Sequence, residues 1–143
     1  MAIRSASARW NGTLKEGGGT FGVQSGAVEG VAYSWATRFG DEFGTNPEEL
    51  VGAAHAACYS MALSSNLGKA GYTPESIDTT AKVHFEQGDA GFSIAKIVLT
   101  TTAAVPDVSD EEFQQLAAAT KDTCPVSRAL AAVPIEVEAS LAG

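Results

Sequence analysis

The chain has 143 residues, of which 45% are hydrophobic, and its formal net charge at pH 7 is −8. This length and apolar content predict a single domain, residues 1–143, with an ordinary hydrophobic core. The acidic balance and the lack of a Lys/Arg cluster argue against nucleic acid as a partner. No stretch has the roughly 18 uncharged apolar residues of a membrane span, and the N-terminus lacks the apolar segment of a secretory signal. We therefore expect a soluble, cytoplasmic protein with no membrane contact.

The first third of the chain mixes aromatic and β-branched residues with many glycines. Over residues 5–39 this composition predicts short strands joined by turns, arranged as an antiparallel meander. Residues 17–22 match the G-x-G-x-x-G pattern, but no helical pattern follows, so we interpret them as a turn rather than a phosphate-binding loop. Over residues 31–39, alternation places Arg38 on the strand face opposite to the aromatic residues.

A long central helix begins with three helix-start signals. Asn46 is a suitable N-cap, Pro47 fits the first helical position, and Glu49 is an acid three residues after the cap. The helical pattern continues to about Leu67, with apolar residues on nearly every side. Because such a helix needs more cover than one small antiparallel sheet provides, we expect an obligate homodimer. The alternative is that both sheet segments of one chain wrap the helix.

The second half of the chain alternates strand and helix patterns. Period-two alternation predicts a hairpin of two strands over residues 77–86 and 92–104. A capping-box pattern predicts a helix over residues 109–122, and a short helical piece follows Pro125. Alternation over residues 135–141 predicts a closing strand. The expected class is α+β, with antiparallel sheets wrapped around a long buried central helix.

The two cysteines are the candidates for chemistry, because in a reducing compartment such a pair is catalytic, metal-binding or simply buried. Cys58 lies about three turns into the central helix, too far from its N-terminus for the dipole to lower the thiol pKa. A thiolate there needs a cation from elsewhere in the structure, and arginine suits that role better than lysine. Cys124 precedes Pro125, which predicts a thiol at a helix N-terminus, where a thiolate is stabilised.

His55 offers a competing interpretation, because it lies three residues before Cys58 and both face the same side of a helix. The two side chains could share a metal ion, but no third or fourth ligand is evident. His84 falls on the polar face of its predicted strand, where exposure to solvent is expected. We therefore predict no metal site.

Two motifs carry a resemblance to a known family. Residues 45–63 read TNPEELVGAAHAACYSMAL and resemble the signature of the OsmC/Ohr family, the osmotically inducible and organic hydroperoxide resistance proteins. Residues 124–127, CPVS, are similar to the second cysteine motif of that family. Together with residues 37–39 and the hairpin between the motifs, the likeness spans nearly the whole chain and is closer to the OsmC branch than to Ohr.

The resemblance implies a thiol-dependent peroxidase that reduces organic hydroperoxides. Cys58 would attack the peroxide and become a sulfenic acid, and Cys124 would condense with it to form a disulfide. Arg38 would hold the Cys58 thiolate, and Glu48 would pair with Arg38. No bound cofactor is implied; an external dithiol, in Ohr-type relatives a lipoyl group, would restore the enzyme. The implied assembly is an intertwined homodimer with two sites at the subunit interface.

Spacing adds a constraint on this predicted site. Glu48 and Cys58 are ten residues apart, about 15 Å along a straight helix, so one helix cannot bring them together. Glu48 then acts from the partner chain or through a bridging arginine. Apolar neighbours such as Tyr59 and Met61 predict a pocket that favours alkyl or aryl hydroperoxides over hydrogen peroxide. Two other functions stay open: a sensor that forms the same disulfide without turnover, and a stress protein that binds a hydrophobic ligand and has structural cysteines.

Overall fold

The computed structural model describes all 143 residues and divides into two compact units, the first unit Met1–Leu50 and the second unit Val51–Gly143. None of the helices is long and apolar enough to cross a membrane. The mixture of helices with two sheets confirms the α+β class. The elements in chain order are β1 (Ala6–Asn11), β2 (Gly18–Val23), β3 (Val31–Tyr33), α1 (Trp35–Phe39), α2 (Pro47–Lys69), β4 (Ser76–Gly88), β5 (Gly91–Ala104), α3 (Asp110–Thr123), α4 (Pro125–Ala129) and β6 (Ile135–Leu141).

The first unit contains the predicted antiparallel meander, with strand order β1-β2-β3. The interpretation of residues 17–22 as a turn is wrong, because Gly18–Val23 forms the central strand. Gly19 explains why glycine is needed there: a Cβ atom at this position would lie 2.3 Å from the Arg9 carbonyl oxygen and 2.7 Å from the Tyr33 ring. The glycine run therefore serves close packing within a strand.

Helix α1 replaces the end of a strand predicted over residues 31–39. Strand β3 stops at Tyr33, and Ser34 caps the helix: its hydroxyl accepts from the Thr37 N–H at 3.3 Å, while the Thr37 hydroxyl accepts from the Ser34 N–H at 2.9 Å. This reciprocal capping box overrides the alternating pattern. The predicted placement of Arg38 on a strand face is wrong, because Arg38 lies in the last turn of α1.

The second unit is built on a sheet of order β4-β5-β6. The long hairpin is confirmed by the antiparallel pairing of β4 with β5, whereas β6 pairs in parallel with β5. A parallel pair needs a crossover connection, and α3 and α4 provide it. The core lies between the helices and the sheet, and its largest fully buried apolar members are Tyr59, Leu63, Leu67, Ile97, Leu99 and Phe113.

A β-bulge interrupts the pairing of β4 with β5: His84 pairs with Lys96 and Phe85 with Ile94, so Ala95 is the extra residue in β5. Opposite this bulge, Val83, His84 and Phe85 of β4 are all half-buried. The expectation that His84 faces solvent is therefore wrong, and it fails where the bulge bends and twists the hairpin.

Helix α2 buries a single stripe within the chain, formed by Gly52, His55, Tyr59, Leu63 and Leu67. The spacing of three and four residues places these side chains on one face of the helix. Met61 is 75% exposed. The helix predicted as apolar all round is thus buried on one side only within one chain.

Candidate active site

The start of α2 is fixed by Asn46, the predicted N-cap. Its side-chain oxygen accepts from the Glu49 N–H at 2.9 Å, and its amide donates to the Thr37 carbonyl oxygen at 3.1 Å. The Glu49 carboxylate accepts from the Thr45 hydroxyl at 3.0 Å. Asn46 therefore ties the first turn of α2 to α1 and sets the position of the neighbouring residue Glu48.

Arg38 and Glu48 form a two-point ion pair in the first unit. Arg38 donates from Nε to Glu48 Oε2 at 3.1 Å and from Nη2 to Oε1 at 2.7 Å. The side chains are 34% and 12% exposed, respectively. A bidentate pair of this kind fixes the plane of the guanidinium as well as its position. Glu48 therefore holds Arg38 in one orientation.

An aromatic cavity of about 460 Å³ adjoins Arg38 in the first unit. The Trp35 and Phe39 rings stack with centroids 4.0 Å apart, and the guanidinium carbon of Arg38 lies 5.4 Å from the Phe39 centroid. The cavity combines apolar walls with one cation, which suits a small molecule with an apolar body and a polar end. Its lining residues are Trp10, Gly12, Leu14, Tyr33, Ser34, Trp35, Arg38, Phe39 and Pro47.

The two cysteines meet in the second unit as free thiols. Cys58 is half-buried in α2, and Cys124 is fully buried at the junction of α3 and α4. The two side chains lie close enough to shift each other's pKa. The N-cap position predicted for Cys124 is confirmed: its sulfur accepts from the Ser127 N–H at 3.5 Å, while its own N–H donates to the Thr120 carbonyl at 2.9 Å.

The pKa values of the two thiols are shifted in opposite directions. Burial by itself raises the pKa of Cys124, but hydrogen bonds from the Ser127 N–H and hydroxyl, the Cys58 thiol and the Val126 N–H outweigh burial and lower it. Because α4 has only five residues, these individual donors rather than a long helix dipole stabilise the thiolate.

Burial raises the pKa of Cys58, and the hydrogen bond and negative charge of Cys124 raise it further against one stabilising Val126 N–H. The second unit therefore favours a thiolate at Cys124 and a protonated thiol at Cys58. A reactive Cys58 thiolate needs a further cation, as its position in the sequence led us to expect.

His55 and Ser127 were not anticipated as a pair. His55 Nε2 lies 2.7 Å from Ser127 Oγ, both side chains are buried, and His55 Nδ1 has no hydrogen-bond partner. Burial lowers the pKa of His55. The available signals were the position of His55 one turn before Cys58 and that of Ser127 at the third residue of the helix capped by Cys124.

Tyr59 does not line a pocket, although its place beside Cys58 suggested one. It is fully buried, and its hydroxyl donates to the Ala117 carbonyl oxygen at 2.7 Å. Tyr59 is a core residue that joins α2 to α3.

The structure thus forms two pairs from the four predicted site residues. Arg38 contacts Glu48 in the first unit, and Cys58 contacts Cys124 in the second. The catalytic roles of these residues stay predictions.

Comparisons with known proteins identify the family. The profile described as OsmC-like protein matches residues 39–138. Peroxiredoxin OsmC of Escherichia coli (strain K12) is 50% identical over 129 residues, covering 90% of each chain. Organic hydroperoxide resistance protein OhrB of Bacillus subtilis (strain 168) is 33% identical over 87 residues, 60% of this chain and 62% of that protein. These identities agree with a position closer to OsmC than to Ohr.

Solved structures show the same fold. The crystal structure of Bacillus subtilis OhrB superposes with a TM-score of 0.74 at 23% identity, covering 95% of this chain and 98% of that one. An organic hydroperoxide resistance protein from Elizabethkingia anophelis gives a TM-score of 0.72 at 26% identity, covering 99% and 98%. With the profile match and the 50% identical relative, these likenesses establish that the chain belongs to the OsmC-like protein family.

Proposed function

We propose that the protein is a cysteine-dependent peroxidase that reduces organic hydroperoxides to alcohols. The observation that carries this proposal is the proximity of the free thiols of Cys58 and Cys124, which pack in the same core cluster and shift each other's pKa. Two neighbouring thiols can form an intramolecular disulfide when small local movements bring their sulfurs to bonding distance. Relatives named peroxiredoxin and organic hydroperoxide resistance protein support the same chemistry.

The first step is attack of the Cys58 thiolate on one peroxide oxygen. A sulfur–oxygen bond forms, the oxygen–oxygen bond breaks, and the departing alkoxide takes a proton to become the alcohol. Cys58 is left as a sulfenic acid, oxidised by two electrons. This assignment is supported by the partial exposure of Cys58, since Cys124 is fully buried.

The second step is condensation of the two cysteines. The Cys124 thiolate attacks the sulfenic sulfur, the disulfide forms, and the hydroxyl group leaves as water after taking a proton. The lowered pKa of Cys124 supports this role, because more of it is thiolate near neutral pH. An external dithiol, which we propose is a lipoyl group, then returns two electrons by thiol–disulfide exchange. The protein itself needs no bound cofactor.

We further propose that Arg38 supplies the cation that Cys58 lacks in its own unit. Glu48 orients the guanidinium through the two-point ion pair. Because Glu48 and Cys58 are ten residues apart in the sequence, Arg38 bridges the remaining distance in a site completed by the dimer. In this arrangement Arg38 stabilises the thiolate and orients the peroxide.

The exposed side of α2 supports the proposed homodimer. Met61 is 75% exposed, and it lies about 200° around the helix from Tyr59, on the side away from the buried stripe. A large exposed apolar side chain on a central helix is expected to be covered by a partner. Two free thiols fit a reducing compartment, so we propose the cytoplasm as the location.

The aromatic cavity beside Arg38 supports a preference for organic substrates. Its walls can hold an alkyl or aryl group while the peroxide end meets the guanidinium. We expect kcat/KM to be higher for cumene hydroperoxide than for hydrogen peroxide. Equal values for the two would sink this part of the proposal.

The proposed function is tested by peroxide consumption with dihydrolipoamide as the reductant, comparing wild type with Cys58→Ser and Cys124→Ser. We expect Cys58→Ser to lose consumption entirely and Cys124→Ser to lose it under recycling conditions. Ser65→Ala, an exposed change in the same helix, serves as the control and should match wild type. Full activity in Cys58→Ser would refute the mechanism. A wild-type disulfide that forms without turnover would instead favour the sensor function.

A further inference from the structure

A buried histidine and serine lie beside Cys124 and have no part in the steps described above. His55 Nε2 is 2.7 Å from Ser127 Oγ, and the backbone N–H of Ser127 donates to the Cys124 sulfur at 3.5 Å. The exposed fractions are 0% for His55, 2% for Ser127 and 0% for Cys124. The three residues therefore form a buried cluster, in which the Ser127 hydroxyl also helps to lower the pKa of Cys124.

The unpaired ring nitrogen of His55 decides the direction of these hydrogen bonds. A neutral imidazole carries one N–H, and the burial of His55, which lowers its pKa, favours the neutral form. A proton on Nδ1 would be a buried donor without a partner, which costs more than an unpaired acceptor. Nε2–H therefore donates to Ser127 Oγ. The single hydroxyl proton of Ser127 is then available to the nearby Cys124 sulfur.

We propose that His55 is a positioning residue that orients the Ser127 hydroxyl toward the Cys124 sulfur and so makes Cys124 the leaving thiolate when the disulfide is reduced. The proposal rests on the proposed peroxidase function for its place in the cycle. It assigns a role to two buried residues that the oxidation steps do not use.

The solvent exposure of the two cysteines determines which sulfur the reductant attacks. Cys58 is half-buried and Cys124 fully buried, so the reductant thiolate attacks the Cys58 sulfur. A bond forms between the reductant sulfur and Cys58, the bond to Cys124 breaks, and Cys124 leaves with the electron pair as a thiolate. The second thiol of the reductant then displaces Cys58, and the reductant ends as a disulfide. A stabilised leaving thiolate accelerates the first exchange.

We call the proposed action of His55 through Ser127 on Cys124 the relay. The relay is tested in a Cys58→Ser background, where Cys124 is the one remaining cysteine. The thiolate of Cys124 is followed by its ultraviolet absorbance during a pH titration, so no reagent has to reach the buried sulfur. Tyr59, the other titratable side chain that senses the charge of Cys124, is monitored separately by tyrosinate absorbance. Circular dichroism checks that each variant is folded.

Two amide variants separate the donor role of His55 from its size and polarity. Glutamine at this position can place an N–H near the site of Nε2, whereas asparagine is one bond shorter and cannot reach Ser127. We expect His55→Asn and Ser127→Ala each to reduce the thiolate fraction at pH 7 by about tenfold, and His55→Gln to preserve it. An unchanged thiolate fraction in Ser127→Ala, or equal values in the two amide variants, would overturn the relay.

The direction of reduction is tested by trapping. Oxidised wild type is exposed briefly to a monothiol, quenched in acid and analysed by peptide mass spectrometry. We expect the mixed disulfide on Cys58; a mixed disulfide on Cys124 would overturn the leaving-group assignment. The optical titration needs neither peroxide nor turnover, so a failed relay and a failed peroxidase function give different results.

Discussion

At the scale of single residues, the two thiols differ in where their activation comes from. The pKa of Cys124 is lowered by Val126 and Ser127, which lie two and three residues further along the chain. Burial and the neighbouring Cys124 raise the pKa of Cys58, so the proposed mechanism requires a cation from elsewhere. In that mechanism, Arg38 is the residue on which the first chemical step depends most.

Replacement of Arg38 by lysine tests that dependence. Lysine keeps the positive charge but cannot form the two-point pair with Glu48, so both the thiolate and the peroxide lose an oriented donor. We expect kcat/KM for cumene hydroperoxide to fall by roughly 10- to 100-fold. Arg9→Lys, an exposed change in β1, is the matched control. Full activity in Arg38→Lys would remove Arg38 from the mechanism.

His55 predicts a loss of stability in acid. Its pKa is lowered in the folded protein, while the unfolded chain keeps the ordinary value of 6.5. As the pH falls below that value, the unfolded chain binds a proton that the folded protein does not, so the free energy of unfolding decreases until the folded-state pKa is reached. Urea unfolding at several pH values should show this slope in wild type and in His84→Gln. The same contribution should be absent in His55→Gln, and an identical slope there would contradict this account.

These residues also show which features of the site could be predicted from the sequence. The N-cap position of Cys124 could be predicted because Pro125 disfavours a helical conformation of the residue before it. The pairing of His55 with Ser127 joins residues 72 positions apart, and no local pattern reports such a contact. The sequence around His55 alone indicates only a possible metal ligand.

At the scale of secondary-structure elements, local sequence signals predicted helices and strands correctly where no second signal competed with them. The cap at Asn46 predicted the start of α2, and period-two alternation predicted the β4–β5 hairpin. The same alternation failed at α1, where Ser34 and Thr37 cap a helix, and at His84, opposite the bulge in β5. The parallel pairing of β6 was not predictable, because alternation reports which face is buried but not the strand direction.

The buried stripe of α2 predicts which helix positions hold the fold together. Leu63 is fully buried against the core, so Leu63→Ala should lower the free energy of unfolding by about 2–5 kcal/mol. Ser65→Ala, two residues further along, is exposed and should change it by less than about 0.5 kcal/mol. Urea unfolding at one fixed protein concentration measures both. Similar losses in the two variants would contradict the assigned face.

At the scale of the whole molecule, the sequence predicted the class and family, while the assembly stays a proposal. A helix that is apolar on all sides predicts a dimer, because one chain buries only one stripe of it. The sequence did not predict the division into two compact units. The boundary falls inside α2, which begins in the first unit and ends in the second, so no linker marks it.

Met61 tests the assembly. A carboxylate in a buried apolar interface has no partner and carries a large desolvation cost. We therefore expect Met61→Asp to shift the protein from dimer to monomer in sedimentation equilibrium, with a loss of peroxidase activity. Gln115→Asp, an exposed change of the same kind on α3, should stay dimeric. A dimer of unchanged stability in Met61→Asp would exclude this face of α2 from the interface.

The central claim is that peroxide links Cys58 to Cys124 within one chain, and intact-mass spectrometry of the denatured protein tests it most directly. After one equivalent of cumene hydroperoxide, wild type should lose the mass of two hydrogens and yield a single peptide pair joined through these cysteines. Cys124→Ser should instead gain oxygen on Cys58. Unchanged wild-type mass with the peroxide consumed, or a disulfide only between chains, would contradict the account.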